Sequence, residues 1–472
     1  MKLMDILRGA YVRSPRFVRN LLAPAVALVP TSFKFGRTYR LWRQRISRAA
    51  ADPRVADTEH QAVLRALLAK AHAGSPFYRE TIDKTFGPKF DAAGIDLADL
   101  RRLPVLGKAE LRAAGDDALA VPHWQVDPGE TAGSNAEKPL SFYLDKDRSG
   151  REMAFVYDAW SRIGYGEGDA RASFRGFSLQ DDGARIHEWD PALRELRLSV
   201  FPLTVEDAAT YLDLIDARGI QYFYGYPSAI ELFCRHMRRL GRIPRLPIKG
   251  ILPISEPIFD HQRAFIRDVL GNPFFACFYG LSEKVLFAAE VPGEDGVYEF
   301  NPLYGLAELV DEKGDPVTEP GREGRLIGTG FLSTGMPFIR YDTGDFARLV
   351  AMPTPANGQR LRVRHLAPRR KPQYLIAVDG ERVVATALTS QDERFFKGIA
   401  EFQLYQDAPG KVLIRYIPAP DGNSDDIARF VNDLQVRSQD RLFYTAEPVG
   451  RIATGRDGKR AFIDQRLDMT RY

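Results

Sequence analysis

Apolar positions recur at helical spacing through residues 37–72, among them Leu41, Ile46, Val63, Leu64, Leu67 and Leu68, so helices are expected there. The turn Gly74-Ser75-Pro76 closes that run. A short extended piece at 103–106 precedes a helix opening at Lys108. The pattern then predicts a strand over 140–144 and a helix over 153–160. From residue 205 the two periods alternate. Helices are expected at 205–218, 228–240 and 261–270, and strands at 220–224, 248–254 and 274–278. Helices interleaved with short apolar strands mark an α/β core with a largely parallel sheet. Between about 297 and 350 the period shortens to strands parted by Gly and Pro, as in Gly324-Arg325-Leu326-Ile327-Gly328, which predicts a β-rich subdomain. Past about residue 370 a smaller α+β unit follows, with strands at 374–378 and 412–416 and a helix at 424–438.

The 472 residues leave room for two to four structural units at roughly 100–200 residues each. With 44% hydrophobic and 27% charged residues, wholesale disorder and collagen are excluded. A net charge of +4 is too small to argue for a nucleic-acid partner. Two cysteines, Cys234 and Cys277, can build neither a disulfide framework nor a four-thiolate zinc site, so a cytoplasmic location is expected. No spacing marks His187, His236 and His261 as metal ligands.

The charge is uneven. Residues 1–48 hold two Lys and nine Arg against Asp5 alone. Their apolar stretch at 21–29 is broken by Pro24, and falls short of the ~20 residues that span a bilayer. Two readings stay open: a helical extension packed on the body, and a basic amphipathic segment in peripheral contact with an anionic membrane.

Four stretches carry chemistry. Thr131-Ala132-Gly133-Ser134-Asn135-Ala136-Glu137-Lys138-Pro139 offers small and hydroxyl residues that let backbone approach phosphate, although a polar turn looks the same. Tyr279-Gly280-Leu281-Ser282-Glu283 follows an apolar strand, where an aromatic face can stack on a base and a carboxylate can hold Mg²⁺. Arg340-Tyr341-Asp342-Thr343-Gly344-Asp345 ends in an acid suited to ribose hydroxyls, or else forms a hairpin corner. Gly455-Arg456-Asp457-Gly458-Lys459-Arg460 puts a lysine on a glycine loop, or is a solvated basic turn.

In this order the four resemble the core motifs of the adenylate-forming (AMP-binding) superfamily. The resemblance is to the branch of phenylacetate–CoA ligases, CapK-type proteins and deazaflavin-adenylating synthetases. His72-Ala73-Gly74-Ser75-Pro76-Phe77-Tyr78, Leu103-Pro104-Val105-Leu106-Gly107-Lys108, Tyr224-Gly225-Tyr226-Pro227-Ser228, Ile254-Ser255-Glu256-Pro257 and Met336-Pro337-Phe338-Ile339 extend it over roughly 37–465. It implies a basic extension at 1–36, a large AMP-binding domain at 37–370 and a small mobile lid at 371–472. It further implies ATP bound by Thr131, Gly133, Ser134, Ser255, Glu256, Tyr279, Gly280, Asp345 and Arg370, and Mg²⁺ held by Glu283. Ser282 would lie near the α-phosphate, and Lys459 would be the catalytic lysine.

The phosphate loop departs from the family pattern at Ala132, Asn135 and Ala136 and gains a residue before Pro139, so a stiffer loop with fewer hydroxyl donors is expected. Arg369-Arg370-Lys371-Pro372-Gln373 lacks the acids that usually follow the hinge arginine. Phe174, Phe177, Trp189, Tyr222 and Tyr226 are candidate walls of the acid pocket, and their number favours an aromatic acid. The leading reading is a ligase that activates a small carboxylic acid as acyl-AMP and transfers it to a CoA or carrier-protein thiol. The alternatives are an adenylyltransferase that leaves AMP on its product, and a catalytically weak CapK-like protein of polysaccharide or secondary-metabolite assembly.

Overall fold

The computed structural model describes residues 34–130, 140–175, 186–200, 203–255, 258–368, 374–384, 398–419, 422–438, 440–452 and 463–469, with Val18, Leu22, Val26 and Val29 before them. The basic segment up to residue 33, apart from those four positions, and Thr131, Gly133, Ser134, Phe177, Glu256, Arg370 and Lys459 lie outside the described residues.

The N-terminal periodicity resolves into helices Gly36–Ala51, Pro53–Gly74 and Pro76–Phe86. Each break has a local cause. Asp52 accepts from the Arg54 amide at 2.9 Å and Pro53 opens the next helix. Ser75 repeats the device with the Tyr78 amide, and its own hydroxyl donates to the Asp117 carbonyl at 2.6 Å. At Gly74 a Cβ would stand 2.3 Å from the Ala120 carbonyl oxygen, so only glycine lets the chains meet. Tyr78 is buried and its hydroxyl donates to the Pro337 carbonyl at 2.8 Å, tying this corner to the stretch that leads into Arg340.

The alternating middle of the chain builds a six-stranded sheet in the order His187–Asp190, Glu195–Leu198, Arg171–Phe174, Tyr222–Gly225, Gly250–Pro253, Phe274–Phe275. Its pairs are parallel except at the His187–Asp190 edge. Helices Val205–Ala217, Pro227–Leu240 and Asp260–Leu270 cover one face, burying Tyr211, Leu212, Ile230, Phe233 and Ile266. On the other face lies helix Arg148–Ser161, whose Trp160 meets Tyr224 at 5.3 Å between ring centres. The same helix sends Phe155 against Phe287 and Tyr304, so it is layered between this sheet and a second one.

That second sheet has seven antiparallel strands, in the order Gly305–Val310, Glu323–Gly330, Tyr341–Ala351, Arg362–Pro368, Val297–Phe300, Phe287–Glu290, Phe278–Gly280. The single strand expected over 274–278 is therefore two. Phe274–Phe275 closes the parallel sheet, and Phe278–Gly280 opens the antiparallel one. Ala276 and Cys277, both buried, carry the chain across.

After residue 374 come a hairpin, Tyr374–Ile376 with Arg382–Val384, and a four-stranded sheet packed on helix Ser424–Arg437. Leu404, Ile414, Phe430 and Leu434 give this unit its own core. It touches the large part through Glu381, 2.7 Å from Arg235, and through Tyr374 against Phe259.

Candidate active site

Tyr279 and Gly280 end the short strand Phe278–Gly280, and the chain turns through Leu281–Lys284, closed by the Lys284 amide on the Leu281 carbonyl at 3.0 Å. Lys284 takes φ 58°, in the left-handed region, and its ammonium meets Glu152 at 2.6 Å. The turn is thereby pinned to helix Arg148–Ser161. Gly280 and Ser282 are exposed on it, whereas Glu283 points inward and is 5% exposed.

The partner of this turn is the start of strand Tyr341–Ala351. Instead of a hairpin corner, Thr343-Gly344-Asp345 forms a bulge within the strand. Ile327 faces Asp342 and Arg325 faces Phe346, so Leu326 alone stands against three residues. Gly344 has φ 77°, a conformation glycine adopts without strain. The Thr343 hydroxyl donates to the Leu326 carbonyl at 2.8 Å and accepts from the Asp345 amide at 3.1 Å. Bulges re-aim side chains, and here the Asp345 carboxylate meets the Tyr279 hydroxyl, which donates to it at 2.6 Å. From the same strand the Tyr341 hydroxyl donates to Glu283 at 2.7 Å. Two motifs far apart in the chain are thus cross-tied by two tyrosine–carboxylate hydrogen bonds.

Asp345 feels the charges of Glu283 and Asp342, which is costly without counter-charge. Arg325 meets Asp342 at 2.6 Å. Burial pushes the Asp345 pKa up to about 6; the charge on Glu283 adds to this, while the Tyr279 hydrogen bond and Lys108 work against it. Both tyrosines are pushed above their ordinary value by burial and then by their carboxylate partners, so they stay protonated and donate. Lys108 begins helix Lys108–Ala114, brought near by the pairing of Leu106 with Tyr341.

Some residues of the sequence motifs prove to be braces. Arg340 is buried against Glu308 at 3.2 Å and donates to the carbonyls of Arg101 and Leu103 at 2.6 and 2.5 Å, fixing the stretch before Lys108. Asp145 carried no signal in the sequence, yet its carboxylate accepts from the amides of Gly335 at 2.7 Å and Thr334 at 3.1 Å, and pairs with Arg151 at 3.2 Å. It ends a two-stranded ribbon, Val126–Glu130 with Ser141–Asp145, in which Glu130 is paired with Ser141. Residues 131–139 join those two paired ends.

The expected acid-pocket walls need correction. A strand sends alternate side chains to opposite faces. Phe174 falls on the helix-covered face, 0% exposed, between Phe223 and Phe233 at 5.2 and 4.9 Å. Full burial of such a ring contributes about 1.5–3 kcal/mol to the core, and it lines nothing. Trp189 stands on the edge strand beneath Arg218, 5.1 Å away, and packs against the cluster of the helix-covered face. Tyr222 is buried against Tyr165. Tyr226 stands just past a carboxyl strand end, its amide on the Phe174 carbonyl at 2.9 Å. Ser255 lies just past the neighbouring strand Gly250–Pro253, exposed, with φ 63°.

The two sheets, the layered helix and the smaller C-terminal unit give the chain the fold of the adenylate-forming enzymes. It matches 2-hydroxyisobutyryl-CoA ligase in complex with 2-HIB-AMP and CoA over 88% of this chain and 91% of that one, with a TM-score of 0.52 and 18% identity. The match to the same ligase in the postadenylation state covers 88% and 90%, with a TM-score of 0.51 and 19% identity. By sequence its relatives are CapK and phenylacetate–CoA ligases. Protein CapK of Staphylococcus aureus is 22% identical over 82% of this chain and 84% of its own length. Phenylacetate-coenzyme A ligase of Thermus thermophilus is 26% identical over 61% of this chain and 64% of its own. No protein-family model matches the chain.

Proposed function

We propose that the protein is an ATP-dependent ligase that activates a small carboxylic acid as acyl-AMP and passes the acyl group to the thiol of CoA or of a carrier protein. The observation that carries this reading is the cross-tie of Tyr279 to Asp345 and of Tyr341 to Glu283. It joins an aromatic side chain and two carboxylates from motifs far apart in the chain. The relatives support it: one is a phenylacetate-coenzyme A ligase, and a structure of the same fold holds an acyl-AMP and CoA.

A carboxylate is a poor electrophile because its leaving group would be oxide. In the proposed reaction a carboxylate oxygen forms a bond to the α-phosphorus of ATP. The bond from that phosphorus to the bridging oxygen breaks, and pyrophosphate leaves with the electron pair. A thiolate then attacks the acyl carbon and AMP departs. Such chemistry rests on positioning and charge neutralisation. Tyr279 and Gly280 would take the adenine, with Ser255 and Glu256 beside it, and Asp345 the ribose hydroxyls. Ser282 would face the α-phosphate, and Thr131, Gly133 and Ser134 the phosphate chain. Glu283 would hold Mg²⁺. One buried carboxylate suits an ion that takes one or two protein oxygens and completes its shell with phosphate and water; among the described residues there is no cluster of three or more metal-ligating side chains. The ion would offset phosphate charge. Lys459, delivered by a lid of residues 371–472 turning near Arg370, would meet the charge that develops at the α-phosphate.

The CapK match over most of the chain, together with Ala132, Asn135 and Ala136 in the phosphate loop, favours a second reading: a weakly catalytic relative serving polysaccharide or secondary-metabolite assembly. An adenylyltransferase that keeps AMP on its product is the third. Among the described residues no helix is long and apolar enough to cross a membrane. A cytoplasmic setting, with peripheral membrane contact through the basic N terminus, is proposed alongside. Acid-dependent pyrophosphate exchange over a panel of acids, followed by a search for thioester on adding CoA, tests the ligase. Exchange with every acid at the level of Lys459→Ala would refute it.

A further inference from the structure

We propose that Glu152 and Lys284 are positioning residues of the reaction: their ion pair holds the turn 279–283 so that Glu283 is presented at one fixed place to the metal ion of the nucleotide. The inference rests on the ligase reading for what Glu283 meets, and on the following geometry for how the turn is held. Tyr279 and Glu283 are bonded to Asp345 and Tyr341, which belong to the sheet the turn itself comes from. Lys284 reaches out of that sheet, 2.6 Å from Glu152 on helix Arg148–Ser161. Its φ of 58° is a conformation that residues with a Cβ take up rarely. Glu283 directly before it is buried, and so is Val285 directly after it. The Val285 carbonyl is held so close that a Cβ on Gly305 would stand 2.1 Å from its oxygen. A left-handed residue between an inward carboxylate and a buried valine sets the direction of both. Such a backbone persists where its surroundings over-determine it, and the ion pair is the side-chain half of that constraint.

Glu152 is a firm partner because its helix is anchored on both sides of it. In the turn before, Arg148 donates to Asp127 at 2.6 Å and to the Asp145 carbonyl at 3.0 Å. Arg151 pairs with Asp145 at 3.2 Å and donates to the Leu332 carbonyl at 2.5 Å. In the turns after, Phe155 and Trp160 are buried in the layer between the two sheets. Successive helical positions lie about 100° apart, so Arg151 holds the root of the ribbon while Glu152 faces the turn. The two side chains of the pair are 27% and 26% exposed, and a partly buried pair is screened far less than one on the open surface. A misplacement of about 1 Å can cost about 10²-fold in rate. A tie that never touches the nucleotide can therefore govern how well Glu283 serves it.

Pyrophosphate exchange at varied Mg²⁺ tests this in wild type, E152Q, K284M, K284R and the double variant E152Q/K284M. We expect E152Q and K284M each to lower kcat about tenfold and to raise the Mg²⁺ concentration for half-maximal rate about fivefold, with KM for the acid unchanged. K284R should recover in part, since it keeps the charge. The double variant should lose no more than either single one, because each has already broken the pair. Without any ligand, amide hydrogen exchange over 279–285 should be faster in K284M, where the Lys284 amide bonds the Leu281 carbonyl. Melting temperatures near that of wild type confirm that the variants fold. An unchanged Mg²⁺ requirement in K284M, unaltered amide exchange, or losses that add in the double variant each overturn the inference. If no acid supports pyrophosphate exchange in wild type, the ligase reading has failed by itself, and calorimetry of ATP with and without Mg²⁺ decides the rest. A gain in affinity with Mg²⁺ in wild type that shrinks in K284M sustains the positioning role; no gain in wild type, or an equal one in both, ends it.

Discussion

The ends of the two sheets are furnished in different ways. On the antiparallel side, the tyrosines and carboxylates at the turn are engaged by their own chain: Tyr279 with Asp345, Tyr341 with Glu283, and beside them Lys284 with Glu152. On the parallel side, Arg175 donates to the Tyr224 hydroxyl at 3.4 Å, and Gly225 lets the two strand ends approach closely. The first arrangement is preorganised, since its hydrogen bonds fix side chains before any ligand arrives. In the proposed enzyme the first would read the nucleotide, which every adenylate-forming reaction shares, and the second the acid, which differs from one enzyme to the next.

The sharpest way to break this division is Lys459→Ala. Acid-dependent pyrophosphate exchange should fall about 10³-fold with every acid alike, while calorimetry still detects ATP. A loss confined to some acids would blur the two sides. Next comes Glu283→Gln, expected to lower exchange about 10²-fold regardless of acid and to raise the Mg²⁺ concentration needed for half-maximal rate. An unchanged Mg²⁺ requirement would remove Glu283 from the metal role.

Asp345 gives a pH signature. Its folded pKa is raised to about 6 from 3.8, so the stability it contributes is full below pH 3.8 and is lost as pH rises through 6. Without nucleotide, Asp345→Asn should therefore melt higher than wild type at pH 8 and close to it at pH 4. AMP affinity of wild type should fall as pH drops below about 6, because a protonated carboxyl no longer accepts from two hydroxyls. In Asp345→Asn affinity should be about tenfold weaker and flat with pH. A wild-type affinity that does not change between pH 5 and 7 would contradict the ribose role. The smallest effect is expected of Gly225→Ala, which should cost about 1–3 kcal/mol in chemical denaturation through the clash with Phe174. It should disturb acid preference more than AMP binding; the reverse result would place Gly225 on the nucleotide side.

The layered α/β plan was legible because its helices and strands carry different periods, and the predicted helices fall within a few residues of those observed. The split of 274–278 was not. Ala276 and Cys277 are as apolar as the strands they join, because they cross a layer that is itself buried. The turn at 279–283 and the acid at 345 stood out as motifs, but their bonds join residues too distant for any period to register. Aromatic content misled at Phe174 and Trp189, since a ring on the covered face and a ring at a site read alike without the sheet's parity. Glu152 and Lys284 drew no notice for the converse reason. An acid and a base 132 positions apart are unremarkable until the fold brings them together.

The ribbon closed by Asp145 is fastened at both ends. Asp145 is bolted to Thr334, Gly335 and Arg151, and toward the other end Leu140 and Phe142 are buried, Phe142 against Phe338. The segment 131–139, with Ala132, Asn135 and Ala136, is thus joined to arms that the body already holds. A lineage can retune that connecting segment repeatedly without renegotiating the body of the protein.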